Sequence, residues 1–161
     1  GYWGLWPTFG SRAAIFSVWH VLIPLLTLSG RLPMSLLGLG EDVPAGVARE
    51  WAQWGRQQKY IMSYSQTLPD DGFRSFRGEL TTFAIADDAY APPSTVQALH
   101  DFYQGASRKT HHLVHPSDMG VKELGHFGVF RPKFKNTLWA RWRAALLGEA
   151  PAVASTEGLH V

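Results

Sequence analysis

Leu80-Thr81-Thr82-Phe83-Ala84-Ile85-Ala86 is an uncharged run rich in β-branched and aromatic residues, the composition of a short strand covered on both faces. Asp87-Asp88-Ala89-Tyr90-Ala91-Pro92-Pro93 ends it, because two acidic turn formers and two prolines cannot extend a sheet ladder. Ser94 is placed to cap a helix in which Val96, Leu99 and Phe102 or Tyr103 share a face, and Gly105 closes that helix. Lys109 to His115 then reads as a second strand. Two strands joined by so short a helical crossover form a βαβ unit, which requires parallel pairing. The expected fold class is therefore α/β.

Working outward, a polar loop spans Pro116 to Arg131. A last helix is expected from about Lys133 to Leu147, with Leu138, Trp142 and Leu146 four residues apart and Gly148 as its stop. Residues 149–161 are rich in Ala, Ser and Gly and read as a flexible tail. Towards the N-terminus, Gly1 to Gly10 reads as an aromatic loop. Residues 12–29 are the most apolar stretch of the chain. Ser17, His20 and Pro24 interrupt it and Arg12 and Arg31 bracket it, which argues against a membrane span and for a buried or lid helix kinked at Pro24. Asp42 is the expected N-cap of a further helix, with Pro44 in its first turn and Val43, Val47, Trp51 and Trp54 as its stripe. Pro69-Asp70-Asp71-Gly72 reads as a turn. The expected organisation is a helical lid region over 1–77, a βαβ-plus-helix unit over 78–148 and the tail.

The chain has 161 residues, 45% of them hydrophobic and 17% charged, a balance that fits a folded core and not a disordered segment. Fifteen Lys+Arg against thirteen Asp+Glu leave a net charge of only +2. The cations are scattered, with Arg131, Lys133 and Lys135 the densest group, so a nucleic-acid partner is not expected. The absence of cysteine excludes a disulfide framework, a thiol nucleophile and a cysteine-ligated zinc. The opening Gly1-Tyr2-Trp3-Gly4 has neither an initiator Met nor a leader-like pattern, and the expectation is a piece of a longer, cytoplasmic protein. The tryptophan pairs 3/6, 51/54 and 139/142 stand at helical spacing. They read as core, with a lidded apolar acyl pocket as the functional alternative for the first two.

Two residues stand out chemically. Asp88 follows a buried parallel strand, and in open α/β sheets ligands bind beyond the carboxyl ends of the strands; its structural alternative is a turn former or helix cap. Asp87 is the weaker candidate, read as a turn residue. His126, in Leu124-Gly125-His126-Phe127-Gly128, lies in a loop between glycines after the second strand. Adjacent parallel strands would bring Asp88 and His126 to one sheet edge. There a carboxylate can take the Nδ1–H of an imidazole and leave Nε2 to accept a proton from a nucleophile. His111, His112 and His115 are a poorer constellation, since strand alternation sends His112 to the face opposite His111 and His115. Neither a metal nor a cofactor is expected.

Gly38-Leu39-Gly40-Glu41-Asp42-Val43-Pro44, Ala86-Asp87-Asp88-Ala89-Tyr90-Ala91-Pro92-Pro93 and Gly125-His126-Phe127-Gly128-Val129-Phe130-Arg131-Pro132 together resemble the α/β-hydrolase superfamily. More narrowly, the chain is similar to a bacterial group of predicted hydrolases classed with serine aminopeptidase-like sequences. The likeness covers nearly the whole chain apart from the tail. It implies the C-terminal half of an α/β-hydrolase fold preceded by a helical lid, with Asp88 as the acid and His126 as the base of a Ser-His-Asp triad.

The chain departs from that family in having no Gly-x-Ser-x-Gly. Gly105-Ala106-Ser107-Arg108-Lys109 lacks the closing glycine and follows a helix, so it is no nucleophile turn. The resemblance thus implies a partial serine hydrolase for a hydrophobic ester or amide, lacking the nucleophile and the oxyanion hole and inactive alone. The competing reading is a non-catalytic interaction module of hydrolase-like fold. A sheet of about two strands with open edges also predicts that the isolated chain self-associates.

Overall fold

The computed structural model describes residues 1–38, 40–65, 67 and 72–149. The turn expected at Pro69-Asp70-Asp71 and the tail from residue 150 onward lie outside them. A 3-10 turn at Trp3–Leu5 leads into a helical run from Phe9 to Ser29. Its first part, α1 (Phe9–Ser17), starts on a reciprocal cap: the Thr8 hydroxyl accepts from the Ser11 amide, and the Ser11 hydroxyl accepts from the Thr8 amide. Val18–Leu22 follows as a π-helical turn, and α2 (Ile23–Leu26) continues from it. Pro24 explains the wide turn. It has no N–H, and its ring crowds the carbonyl one turn back. With one residue more in the turn, the Ile23 amide reaches the Val18 carbonyl and the helix passes the proline.

Ser17, His20 and Pro24 do not end the helix. By length and composition Phe9–Ser29 is long and apolar enough to cross a membrane, and core helices of soluble proteins and signal sequences pass the same test. Of the buried or lid helix expected here, the buried form is corrected: Phe9 is 88% and Leu28 76% exposed.

The N-terminal region is also not helix and loop alone. β1 (Arg31–Leu32) and β2 (Val43–Pro44) form a small antiparallel ribbon. Asp42 closes that ribbon instead of capping a helix: it accepts from the Ser35 amide and hydroxyl and pairs with Arg31. Those hydrogen bonds from Ser35, with a smaller contribution from Arg31, hold its carboxyl below the usual range. α3 (Ala45–Arg56) begins behind Pro44 without a side-chain cap. Its buried face is Ala45, Ala48, Ala52 and Gly55, while Val47 and Trp51 of the expected stripe are exposed, Trp51 by 42%. The reason is Trp19, which packs closely on α3: a Cβ at Gly55 would stand 2.6 Å from its indole. Only small residues admit so close an approach. Arg49 to Thr27 and Arg56 to the Trp19 carbonyl tie the two helices at their rims.

Two short helices, α4 (Met62–Ser65) and α5 (Gly72–Ser75), precede the βαβ unit. β3 (Glu79–Ile85) and β4 (Arg108–Val114) pair in parallel, from Glu79 opposite Arg108 to Ile85 opposite Val114, with α6 (Pro93–Phe102) as the crossover. The chain is thus mixed α/β with a small parallel sheet. Full burial of β3 is reached only at Ala84 and Ile85, because each strand has one neighbour among the described residues. Ser94 does not cap α6; its hydroxyl donates to the Leu5 carbonyl. The buried residue of α6 is His100, and Leu99 is exposed.

The loop after β4 contains one turn of α-helix, α7 (Gly125–Gly128), between 3-10 turns at Pro116–Met119 and Pro132–Phe134. The final helix α8 (Leu138–Leu147) starts later than expected and ends at Gly148 in the left-handed region. Leu138 is fully buried, but Leu146 of the expected stripe is 86% exposed. Leu138 joins Ile85, Val114, Leu124, Val129 and Phe134 in the core that supports the end of the sheet.

Candidate active site

The candidate site forms where β3 ends. The Asp88 amide bonds back to the Ile85 carbonyl, and its Oδ1 accepts from the amides of Tyr90 and Ala91, each at 2.9 Å. This is the turn an Asp favours after a strand. Both sequence readings of Asp88 therefore hold in part, since one oxygen shapes the turn and the other is left for a different partner. That partner is His126, whose Nδ1 lies 2.8 Å from Asp88 Oδ2. Asp88 is only 8% exposed. Gly125, at φ 60°, supplies the left-handed residue from which α7 starts and the His126 ring turns towards the sheet.

The carboxylate can only accept, so the proton of this bond sits on Nδ1 and the Nε2 lone pair of the neutral ring points away. Among the described residues no group hydrogen-bonds to Nε2. The rings of Tyr90 and Phe127 flank the imidazole at 5.5 and 4.7 Å, and both side chains are otherwise exposed. The arrangement can take up one proton at Nε2 and stabilise the resulting imidazolium through Asp88.

A cleft of about 470 Å³ runs between α1 and the end of β3, with Trp6, Ser11, Ile15, Asp87, Asp88 and Pro92 on its walls. Trp6 fixes one side: it is buried, and its indole N–H donates to the Ala89 carbonyl at 3.1 Å. Sequence reasoning placed Trp6 in a core pair and missed that it clamps the N-terminal segment onto the loop carrying the acid. It also took Asp87 for a turn residue, whereas the Asp87 carboxylate accepts from the amides of Leu124 and Gly125. The only signal was an acidic pair where one carboxylate would serve for the turn.

Neither serine near the sheet is placed as a nucleophile. Ser107 immediately precedes β4, at the end remote from Asp88, its amide bonded to the Gly78 carbonyl. Ser11 lies in the cleft wall, but its hydroxyl is bound to Thr8.

On the α6 side of the sheet, the Thr82 hydroxyl meets Nδ1 of His100 at 3.0 Å and Nδ1 of His111 at 2.7 Å. His112 faces the other way, stacked on Phe83. Burial, and then the charges of Lys109 and His111, push the His100 pKa below its usual value. Among the described residues no group of three metal-ligating side chains occurs.

No family model matches the chain, and neither curated proteins nor solved structures give a match.

Proposed function

We propose that this chain carries the acid–base pair of an acyl hydrolase of α/β-hydrolase type, acting on a hydrophobic ester or amide. The observation that carries the reading is the 2.8 Å contact between His126 Nδ1 and a nearly buried Asp88. In this role His126 Nε2 removes the proton from a serine hydroxyl as the oxygen attacks the acyl carbonyl, and Asp88 stabilises the imidazolium. The imidazolium then protonates the departing alkoxide or amine. The serine and the oxyanion donors come from polypeptide other than these residues. The apolar walls of the cleft, Trp6, Ile15 and Pro92, favour an apolar acyl or leaving group.

A fluorophosphonate probe tests this directly. The 161-residue chain alone is expected to remain unlabelled. When it is joined to a strand–Gly-x-Ser-x-Gly–helix segment encoded upstream, labelling and ester hydrolysis are expected, and Asp88→Asn should lower kcat by roughly 10³–10⁴. Stoichiometric labelling of a serine in the chain alone overturns the division of labour. Full activity in His126→Ala overturns the role of the pair. The second reading, a non-catalytic interaction module, is favoured by the lack of any described hydroxyl bonded to Nε2. An upstream reading frame without a nucleophile turn decides for it.

A further inference from the structure

His126 sits on a four-residue helix, far below the length at which a helix holds itself together in water. Asp88 orients the ring but makes no contact with the backbone that carries it. Something else has to fix that backbone. The amides that open α7 have no partner within the helix, and the neighbouring acid supplies one. Asp87 Oδ2 accepts from the Leu124 amide at 2.9 Å and from the Gly125 amide at 3.2 Å, and Oδ1 lies 3.2 Å from the same Gly125 amide. On the other side, the Leu124 side chain is locked into the core with Ile85 and Val114. The segment entering α7 is thus fixed at the backbone by Asp87 and at the side chain by the core.

We infer that Asp87 is a positioning residue: its carboxylate holds the amides of Leu124 and Gly125 and so sets the distance between His126 and Asp88. This rests on the reading of His126 and Asp88 as an acid–base pair and deepens it, because adjacent residues at one strand end then divide the work. Asp88 orients the imidazole, and Asp87 anchors its backbone. A carboxylate is required at 87. Bonds from amides to an ionised oxygen are about twice as strong as neutral ones, and three contacts fall on two acceptor oxygens. An Asn there offers one acceptor and turns an N–H₂ group towards N–H donors. Asp87 is exposed, so water and salt weaken its hold without replacing its geometry.

Proton NMR of the whole chain separates this from a plain turn role. The parent is expected to show a downfield Nδ1–H resonance of His126 that Asp88→Asn removes. In Asp87→Asn that resonance should be lost or broadened beyond detection. The Leu124 and Gly125 amides should exchange about tenfold faster, while amides of α3 keep their parent shifts. Loss of charge alone would leave the resonance in place, so a retained resonance with parent-like exchange at both amides overturns the inference. Should Asp87→Asn fail to fold, the parent still decides: the two amide shifts must follow the titration of the Asp87 carboxyl in acid, and amides indifferent to it overturn the assignment. A parent without any Asp88-dependent resonance fails differently, removing the acid–base pair itself and this inference with it.

Discussion

The two halves of the chain use apolar residues in opposite ways. Around the end of the parallel sheet, Ile85, Val114, Leu124, Val129, Phe134 and Leu138 turn inward and build a core of large side chains. In the N-terminal half the cluster is Ile23, Leu32, Ala48 and Ala52, while Phe9, Val21, Leu22, Leu25 and Leu28 stand in the open. The difference teaches where the rigidity lies. The residues that hold Asp88 and His126 are anchored in a packed core, whereas the long helix beside the cleft is held by small residues of α3 and by Trp3 and Trp6 of the N-terminal turn, and leaves much of its apolar surface exposed.

The most direct way to break this comparison is to truncate a leucine on each side. Leu138 is 0% exposed and sits at the centre of the core, so Leu138→Ala should cost about 2–5 kcal/mol in urea unfolding, lost transfer energy plus a cavity. Leu25 lies on the open face of α2, and Leu25→Ala should stay within about 0.5 kcal/mol. Equal losses would mean that the helix face is covered in solution. Light scattering reads the same surface from the other side: the chain is expected to self-associate, and Leu22→Glu with Leu25→Glu should reduce it. A sharp monomer peak from the parent would contradict that expectation.

A smaller effect tests the joint between the halves. Gly105, in the turn between α6 and β4, lies against the carbonyls of Arg74 and Phe76, and an added Cβ would stand 2.8 Å from the Phe76 oxygen and closer still to that of Arg74. Backbone atoms give way less readily than side-chain ends. Gly105→Ala should therefore cost roughly 1–3 kcal/mol as overpacking. The neighbouring test is Gly55→Ala, where the obstacle is the Trp19 ring and the added methyl regains up to about 1 kcal/mol of helix propensity. Its net cost should be the lower of the two, and the reverse order would show that Trp19 is the more rigid wall.

Legibility followed the same division. In the βαβ unit, strand boundaries came within one residue of those expected, because a short uncharged run bounded by Asp-Asp and Pro-Pro leaves the chain few alternatives. The meeting of Asp88 with His126 followed from parallel topology alone. In the N-terminal half, periodicity misled. Val47 and Trp51 formed the more apolar stripe of α3, but Trp19 needed the face made of alanines and glycine. A hydrophobicity pattern ranks faces by apolar content, and close helix packing selects them by size. Asp42 misled in a related way: as a local cap candidate it was sound, but it was drawn seven residues back to Ser35, a contact no local rule contains. Asp87 stayed hidden because its partners are backbone amides, which carry no sequence signature.

The smallest expected effect concerns the other face of the sheet, where His100 is buried under α6 beside Thr82 and His111. Its pKa is lowered from 6.5 by burial first, and then by the positive fields of Lys109 and His111, with Asp101 opposing. In the interval between the folded and unfolded values the unfolded chain binds the extra proton, so stability rises with pH there. The contribution of neutral His100 is fully present above about pH 6.5, is lost as the pH falls towards the folded value, and does not decline further below both. Urea unfolding at about pH 7.5 and about pH 5.5 should show this loss in the parent. His100→Gln keeps a polar group near Thr82 but has no proton to gain, so its stability should change less between the two conditions. His126→Gln carried through the same two conditions is the control at the other histidine bonded to a neighbouring side chain. A pH dependence that survives His100→Gln unchanged would place the titrating group elsewhere. The quiet face of the sheet would then be as tolerant of charge as the open face of the N-terminal helix.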